Sequence, residues 1–298
     1  MGLKSVKSNH SKTYALNNNT RVLRKMKIEQ VTPAIGAELS DICLNNLTAK
    51  DYDDIYEALI EHKVIFFRDQ DITPAAHLAF AKSFGEPEPP HPIYPSIEGY
   101  EQIVLLKSGA GSKPDTNDWH KDLTFKASPP FTSILHAIEV PDVGGDTLWS
   151  NTNAAYAALP KVWQDHLEGM EAMHDIGTFR NDLYRKGGIE AVNEGLKSTG
   201  SAVHKIIDTH PVSGLKYLNI NQSFTRHIVG EIQGESDRIL QYLYQHMAKP
   251  EFQVRLRWRK NTIAMWDNRI THHYAVCDYL PKVRHMQRVT VLHDKREP

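Results

Sequence analysis

Between residues 253 and 259 the chain alternates without a break. Val254, Leu256 and Trp258 fall on one side and Arg255, Arg257 and Arg259 on the other. Side chains of an extended chain point to opposite faces with period two, so this run predicts a strand with one face in a core and the other in water. Further strands are expected at 27–31, 64–67, 101–106, 133–140, 147–149, 262–266 and 287–292, each apolar or alternating and bounded by turn residues. Helices fit between them. Thr48 with Asp51 makes a capping box before the stripe Tyr52, Ile55, Tyr56, Leu59 and Ile60. Thr73-Pro74 supplies an N-cap and a first-turn proline, with Gly85 as the stop. Residues 152–175 and 235–248 read as helical, and the prolines of 86–98 predict a stiff loop. Strands with inserted helices, and no repeat or linker, predict a mainly β chain with one β-sandwich or jelly-roll core. Residues 1–25, rich in Lys, Asn and Ser, predict a mobile tail ahead of a single domain over 26–298.

Composition narrows the function classes. With 35 basic and 36 acidic residues the formal net charge is -1, so no global field draws the chain to nucleic acid or a membrane. The short Arg255, Arg257, Arg259 face is no basic tract. Cys43 and Cys277 are the only cysteines, which excludes a disulfide framework and a zinc-finger pattern and suits a reducing cytoplasm. No apolar run is long enough to span a bilayer. The N-terminal stretch lacks an apolar signal core, and Val6 stands where a myristoylation site needs Ser or Thr.

The chemistry centres on Trp119-His120-Lys121-Asp122-Leu123-Thr124-Phe125. On an extended chain His120 and Asp122 share a face and Lys121 points away. A His and a carboxylate at a strand end, joined by a distant His, form the facial triad of non-heme Fe(II) oxygenases. The pair alone is weak evidence. From 16 His and 36 acidic residues, chance gives roughly two His-x-Asp/Glu pairs. The second pair, His166 and Glu168, falls on a predicted helix, where such neighbours do not share a face. For the third ligand, the cluster Trp266-Asp267-Asn268-Arg269-Ile270-Thr271-His272-His273-Tyr274 offers His272 or His273, and composition does not choose. Downstream, Arg284, Met286, Arg288 and Thr290 share a strand face by period two. Two guanidinium groups on one side of a strand suit two anionic ligands, a co-substrate and a substrate.

These pieces occur in order with Gly144-Gly145-Asp146-Thr147-Leu148-Trp149, Lys249-Pro250-Glu251-Phe252-Gln253-Val254-Arg255, Asp278-Tyr279-Leu280-Pro281 and Arg288-Val289-Thr290. Together, over about residues 27 to 295, the chain resembles the Fe(II)/2-oxoglutarate-dependent dioxygenases of the taurine dioxygenase family. The resemblance implies a double-stranded β-helix, with His120, Asp122 and His273 as metal ligands. It implies Arg284 and Thr147 on the distal carboxylate of 2-oxoglutarate, and Arg288 on the acidic group of the substrate. His91, Tyr94, the backbone at Leu123, and Phe224 match substrate contacts of the family. Where the family has an Asn four residues before the first ligand His, this chain has Thr116, followed by Asn117; both are candidate substrate contacts. The implied cofactors are Fe(II), 2-oxoglutarate and O2. The implied reaction hydroxylates the carbon next to the sulfonate of taurine or a related alkanesulfonate, releasing sulfite and an aldehyde with succinate and CO2. Alkyl sulfates and aryloxyalkanoates are the alternative substrates, and a non-catalytic metal-binding module is the alternative class. A cytoplasmic homo-oligomer, dimer or tetramer, is expected.

Overall fold

The computed structural model of the chain describes residues 26–90, 94–112, 118–177 and 179–297. The expected tail over 1–25, and the candidate contacts His91, Thr116 and Asn117, lie outside these residues. Among the described residues a nine-stranded sheet faces a three-stranded sheet in a double-stranded β-helix. Through the large sheet run Ala37–Ser40, Val64–Phe67, Ile263–Asp267, Thr132–Glu139, Arg284–Asp294 and Tyr100–Ser108, each bonded to the next. The small sheet is Gln253–Leu256, Thr147–Asn151 and Thr271–Ala275.

Why the large sheet sits in the middle is written in Val64–Phe67, which is apolar at every position and buried at every position. Val64 and Phe66 turn toward the small sheet and join Trp149, Trp258, Trp266, Val254 and Leu256. Ile65 and Phe67 turn the other way, onto Ile55, Leu59, Phe80 and Phe84 of two helices. A sheet covered on both faces needs this unbroken apolar pattern. The covering helices are Ala49–His62, capped at Thr48 by the full Thr48–Asp51 capping box, and Pro74–Phe84, capped by Thr73. On the alternating run 253–259, Val254, Leu256 and Trp258 are buried and the arginines between them exposed.

The structure departs from the sequence reading in the middle of the chain. Residues 152–175 are not helical throughout. The helices Thr152–Ala157 and Lys161–Leu167 give way to the strand Glu171–His174, which pairs with Ala202–Lys205 and Thr225–Ile228. A helix the pattern did not announce, Phe179–Thr199, intervenes and is broken by non-helical backbone at Gly187 and Gly188. The proline-rich loop also carries short strands at its ends. Gly85–Pro87 pairs with Arg284–Asp294, and Ser96–Ile97 with Tyr100–Ser108. Pro87 lies at a strand end, where a missing N–H costs little.

Candidate active site

His120 and His273 are joined by an isolated antiparallel bridge. His120 N–H donates to His273 O at 3.0 Å and His273 N–H to His120 O at 2.8 Å. Residues directly opposite in such a pair carry their side chains on the same face. The two imidazoles therefore stand together, 4.0 Å between ring centroids. Asp122, two residues along, presents Oδ1 3.8 Å from His120 Nε2 and 3.9 Å from His273 Nε2. The potential ligand atoms of the three all lie within 4.8 Å of one another, and all three residues are buried.

The donor set fits an Fe(II) facial triad in protonation as well as in position. His120 Nδ1 lies 2.8 Å from the carbonyl of Asp118, to which it donates, so Nε2 keeps its lone pair for a metal. Burial lowers His120 against the pull of Asp122, and burial with the neighbouring His120 pushes His273 down to about 3. Both rings are then neutral at physiological pH. Burial alone raises the Asp122 carboxyl, but Arg288, the two imidazoles and the Ser133 hydroxyl outweigh it and hold it at about 2, ionised.

Two supports were not found from sequence. Asn268 accepts from Asp122 N–H at 2.8 Å and donates to Asp122 O and Pro130 O, both at 3.1 Å, clamping the ligand's backbone. Ser133 Oγ donates to Asp122 Oδ2 at 3.1 Å. Asn268 stood inside the polar cluster already singled out, yet a side-chain amide in a turn gives no sign of which backbone it holds. Ser133 lies in an ordinary strand and carried no signal. Lys121 faces away from the triad as alternation predicts. Its Nζ donates to Arg269 O at 2.7 Å and Asn219 Oδ1 at 3.1 Å, under the Tyr217 ring. Of His272 and His273, it is His273 that groups with His120 and Asp122. His272 sits on the opposite face beside Trp119 and Met247. The second pair, His166 and Glu168, is remote: Glu168 accepts from Lys216 Nζ on the surface.

A cavity of about 360 Å³ opens over the triad. Tyr94, Leu123, Thr147, Phe224, Arg284 and Arg288 line it together with His120, Asp122 and His273. Arg284 and Arg288 project from the same face of Arg284–Asp294, as period two requires. Arg284 is buried. Its Nε donates to Gly145 O at 3.1 Å and its Nη2 to Thr147 Oγ1 at 3.3 Å. No carboxylate of the described residues pairs with it, so this cation can accept an anionic ligand. The Gly144-Gly145 turn behind it needs glycine. Both residues have positive φ, and a Cβ on Gly144 would come 2.7 Å from Asp278 Oδ1, the oxygen that accepts from Gly145 N–H. Leu123 also has positive φ, 53°, which is costly for a leucine and is held here by its burial against Phe125 and Phe224. Phe179 packs 5.6 Å from Phe224 and extends the apolar wall.

Comparison with known proteins agrees with this geometry. A family model described as "Taurine catabolism dioxygenase TauD, TfdA family" matches residues 27–290. An alkylsulfatase of Acinetobacter baylyi is 34% identical over 90% of this chain and 85% of its own. An alpha-ketoglutarate-dependent sulfate ester dioxygenase of Pseudomonas putida is 34% identical over 90% of this chain and 89% of its own. Among solved structures, a taurine dioxygenase from Burkholderia xenovorans aligns with a TM-score of 0.78 at 32% identity, covering 90% of each chain.

Proposed function

The chain belongs to the TauD/TfdA family and is a 2-oxoglutarate-dependent dioxygenase that uses Fe(II) and O2; from that premise we propose that it oxidises the carbon bearing a sulfate or sulfonate group on a small organic anion with an apolar chain. His120, Asp122 and His273 hold the metal. The bound metal with 2-oxoglutarate and O2 supplies the oxidising power, one oxygen atom going to the substrate C–H and the other to succinate, with CO2 released.

The protein's own part is orientation. Arg284 and the Thr147 hydroxyl, both buried, take the distal carboxylate of 2-oxoglutarate. Arg288, four residues along the same strand face, takes the substrate anion and so sets the adjacent carbon over the triad. Phe179, Phe224 and Leu123 wall the chain and exclude water. Hydroxylation of a carbon bearing sulfate gives a product that collapses to an aldehyde and sulfate; one bearing sulfonate gives an aldehyde and sulfite. A displacement of about 1 Å in this arrangement costs on the order of 100-fold in rate.

The observation that carries the reading is the composition of the wall around Arg288. Among the described residues that line the cavity, the single carboxylate is Asp122; Leu105, Leu106, Leu123, Leu135, Phe179 and Phe224 give it apolar wall, and its other polar lining, Lys107, Ser108 and Ser112 among it, brings a cation and hydroxyls but no anion. An alkyl sulfate or alkanesulfonate needs one anion fork and an apolar wall. Taurine carries an ammonium as well, and outside the metal triad those residues offer it no carboxylate. The two relatives named for sulfate esters support the same class. Tyr94 lines the cavity, and His91, Thr116 and Asn117 remain candidates for further substrate contacts. The reading takes 26–298 as one catalytic domain in a cytoplasmic dimer or tetramer; no helix among the described residues is long and apolar enough to cross a membrane.

The test is a panel of alkyl sulfates, alkanesulfonates, taurine and aryloxyalkanoates, read by succinate formation and by released sulfate or sulfite. Turnover of hexyl sulfate or hexanesulfonate above taurine supports the proposal. Turnover confined to aryloxyalkanoates would sink the sulfur-oxyanion assignment and leave the family untouched.

A further inference from the structure

Asp122 is held by two groups with opposite consequences for a cation. Ser133 Oγ ties down Oδ2, which leaves Oδ1 turned toward the imidazoles. That same Oδ1 stands 3.5 Å from Arg288 Nη1, and the two side chains are 9% and 13% exposed. The Nε of Arg288, also buried, makes no hydrogen bond among the described residues. An arginine keeps its charge at any working pH, so the positive group beside this oxygen is permanent.

We propose that Arg288 sets the metal affinity of the triad: its guanidinium competes with the cation for Asp122 Oδ1, and an anion that engages the guanidinium relieves that competition. Metal and substrate anion then bind cooperatively through one arginine. Reciprocity follows from linkage, so the factor by which the anion tightens the metal is the factor by which the metal tightens the anion. The physical basis is the low-dielectric setting, where two like charges within a few ångströms of one carboxylate oxygen repel strongly and neutralising one of them is felt by the other. The inference rests on the reading of His120, Asp122 and His273 as the metal triad. It goes beyond that reading by giving Arg288 a role on the metal side as well as on the substrate side.

The experiment is titration calorimetry of the full chain with Co(II), comparing wild type with R288Q, R288K and D122A. R288Q should bind Co(II) about tenfold more tightly, as expected for removal of a like charge at this range. R288K keeps the charge and should stay nearer to wild type. Sodium sulfate, against sodium chloride at matched ionic strength, should tighten Co(II) binding to wild type several-fold and leave R288Q unmoved. A Co(II) affinity in folded R288Q equal to or weaker than wild type overturns the proposal, and so does wild-type binding that sulfate does not change. The sulfate arm uses the native protein, so a null result there overturns the proposal even if R288Q does not fold. D122A separates the two levels. If D122A binds Co(II) as wild type does, the triad reading itself fails. If D122A loses Co(II) while R288Q matches wild type, only the role of Arg288 fails.

Discussion

At Asp122 the backbone and the two carboxylate oxygens each have their own partner: Asn268, Ser133 and Arg288. Ser133 fixes Oδ2 by one hydrogen bond. Its replacement by Ala should weaken metal binding by roughly tenfold, in line with other outer-sphere ligand supports, while thermal stability changes little. Metal titration and a melting curve on the same preparation check both halves; an unchanged dissociation constant would show that Ser133 is merely packed there. Arg284 is predicted to act only on the co-substrate. Arg284→Gln removes a buried charge-assisted contact worth about 1.5–3 kcal/mol, so the 2-oxoglutarate concentration for half-maximal turnover should rise roughly 10- to 100-fold. Co(II) affinity should stay near wild type. A rise in both constants together would mean that Arg284 shapes the whole site rather than one ligand.

At the scale of elements, legibility followed the strength of the pattern. The alternation over 253–259 marked a strand, which the structure keeps only as Gln253–Leu256 although Trp258 is still buried, and Ala49–His62 was plain because cap and stripe agree. The common face of Arg284 and Arg288 was plain because period two survives along Arg284–Asp294. The strands Glu171–His174, Ala202–Lys205 and Thr225–Ile228 were not, since four residues with one or two apolar positions carry no period of their own. Their stability comes from pairing, which is tertiary. The same limit governs the site. His120 and Asp122 could be read as neighbours, but the bridge that brings His273 beside His120 joins distant parts of the chain, and only resemblance chose His273 over His272. One element carries a prediction of its own. Gly177, at φ 51°, lies where a Cβ would come 1.7 Å from the carbonyl oxygen of Ser223, the residue before Phe224. Backbone must move to admit it. Gly177→Ala should cost roughly 2–4 kcal/mol of stability. It should also raise the substrate KM more than that of 2-oxoglutarate, because the displaced segment carries the Phe224 wall and leaves Arg284 alone. Equal changes in the two constants count against that division.

At the scale of the whole molecule the buried histidines set the response to acid. His77 packs beneath the large sheet, its Nε2–H directed at the Ile134 carbonyl, and burial followed by the nearby His136 pushes it down to about 3. His174 lies under the Leu123 turn against Thr124, and burial followed by His204 takes it to about 3 as well. Neither is a metal ligand. Both are neutral in the folded chain at pH values where the unfolded chain, at about 6.5, is already taking up protons. Above pH 6.5 neither state binds a proton at these rings and they lend no pH dependence. Below it the unfolded state binds more protons, so unfolding becomes easier as pH falls, until about pH 3, where the folded rings protonate too. Each ring contributes a slope of about 1.4 kcal/mol per pH unit in that window. Asp267 behaves differently. Burial raises its carboxyl, but Arg269 and His210 outweigh it and hold it well below the usual carboxylate range. Its contribution is therefore intact above about pH 4 and is lost only in stronger acid. The metal-free protein should therefore lose stability between pH 6.5 and 5, before its carboxylates titrate. Urea midpoints at pH 7.5, 6.5, 5.5 and 5.0 measure this directly. His77→Phe, which cannot take up the proton, should flatten the slope by about one ring's share, ~1.4 kcal/mol per pH unit, whatever it does to stability at pH 7.5. A midpoint that holds level down to pH 5 in the wild-type chain would show that His77 and His174 reach water and protonate without unfolding.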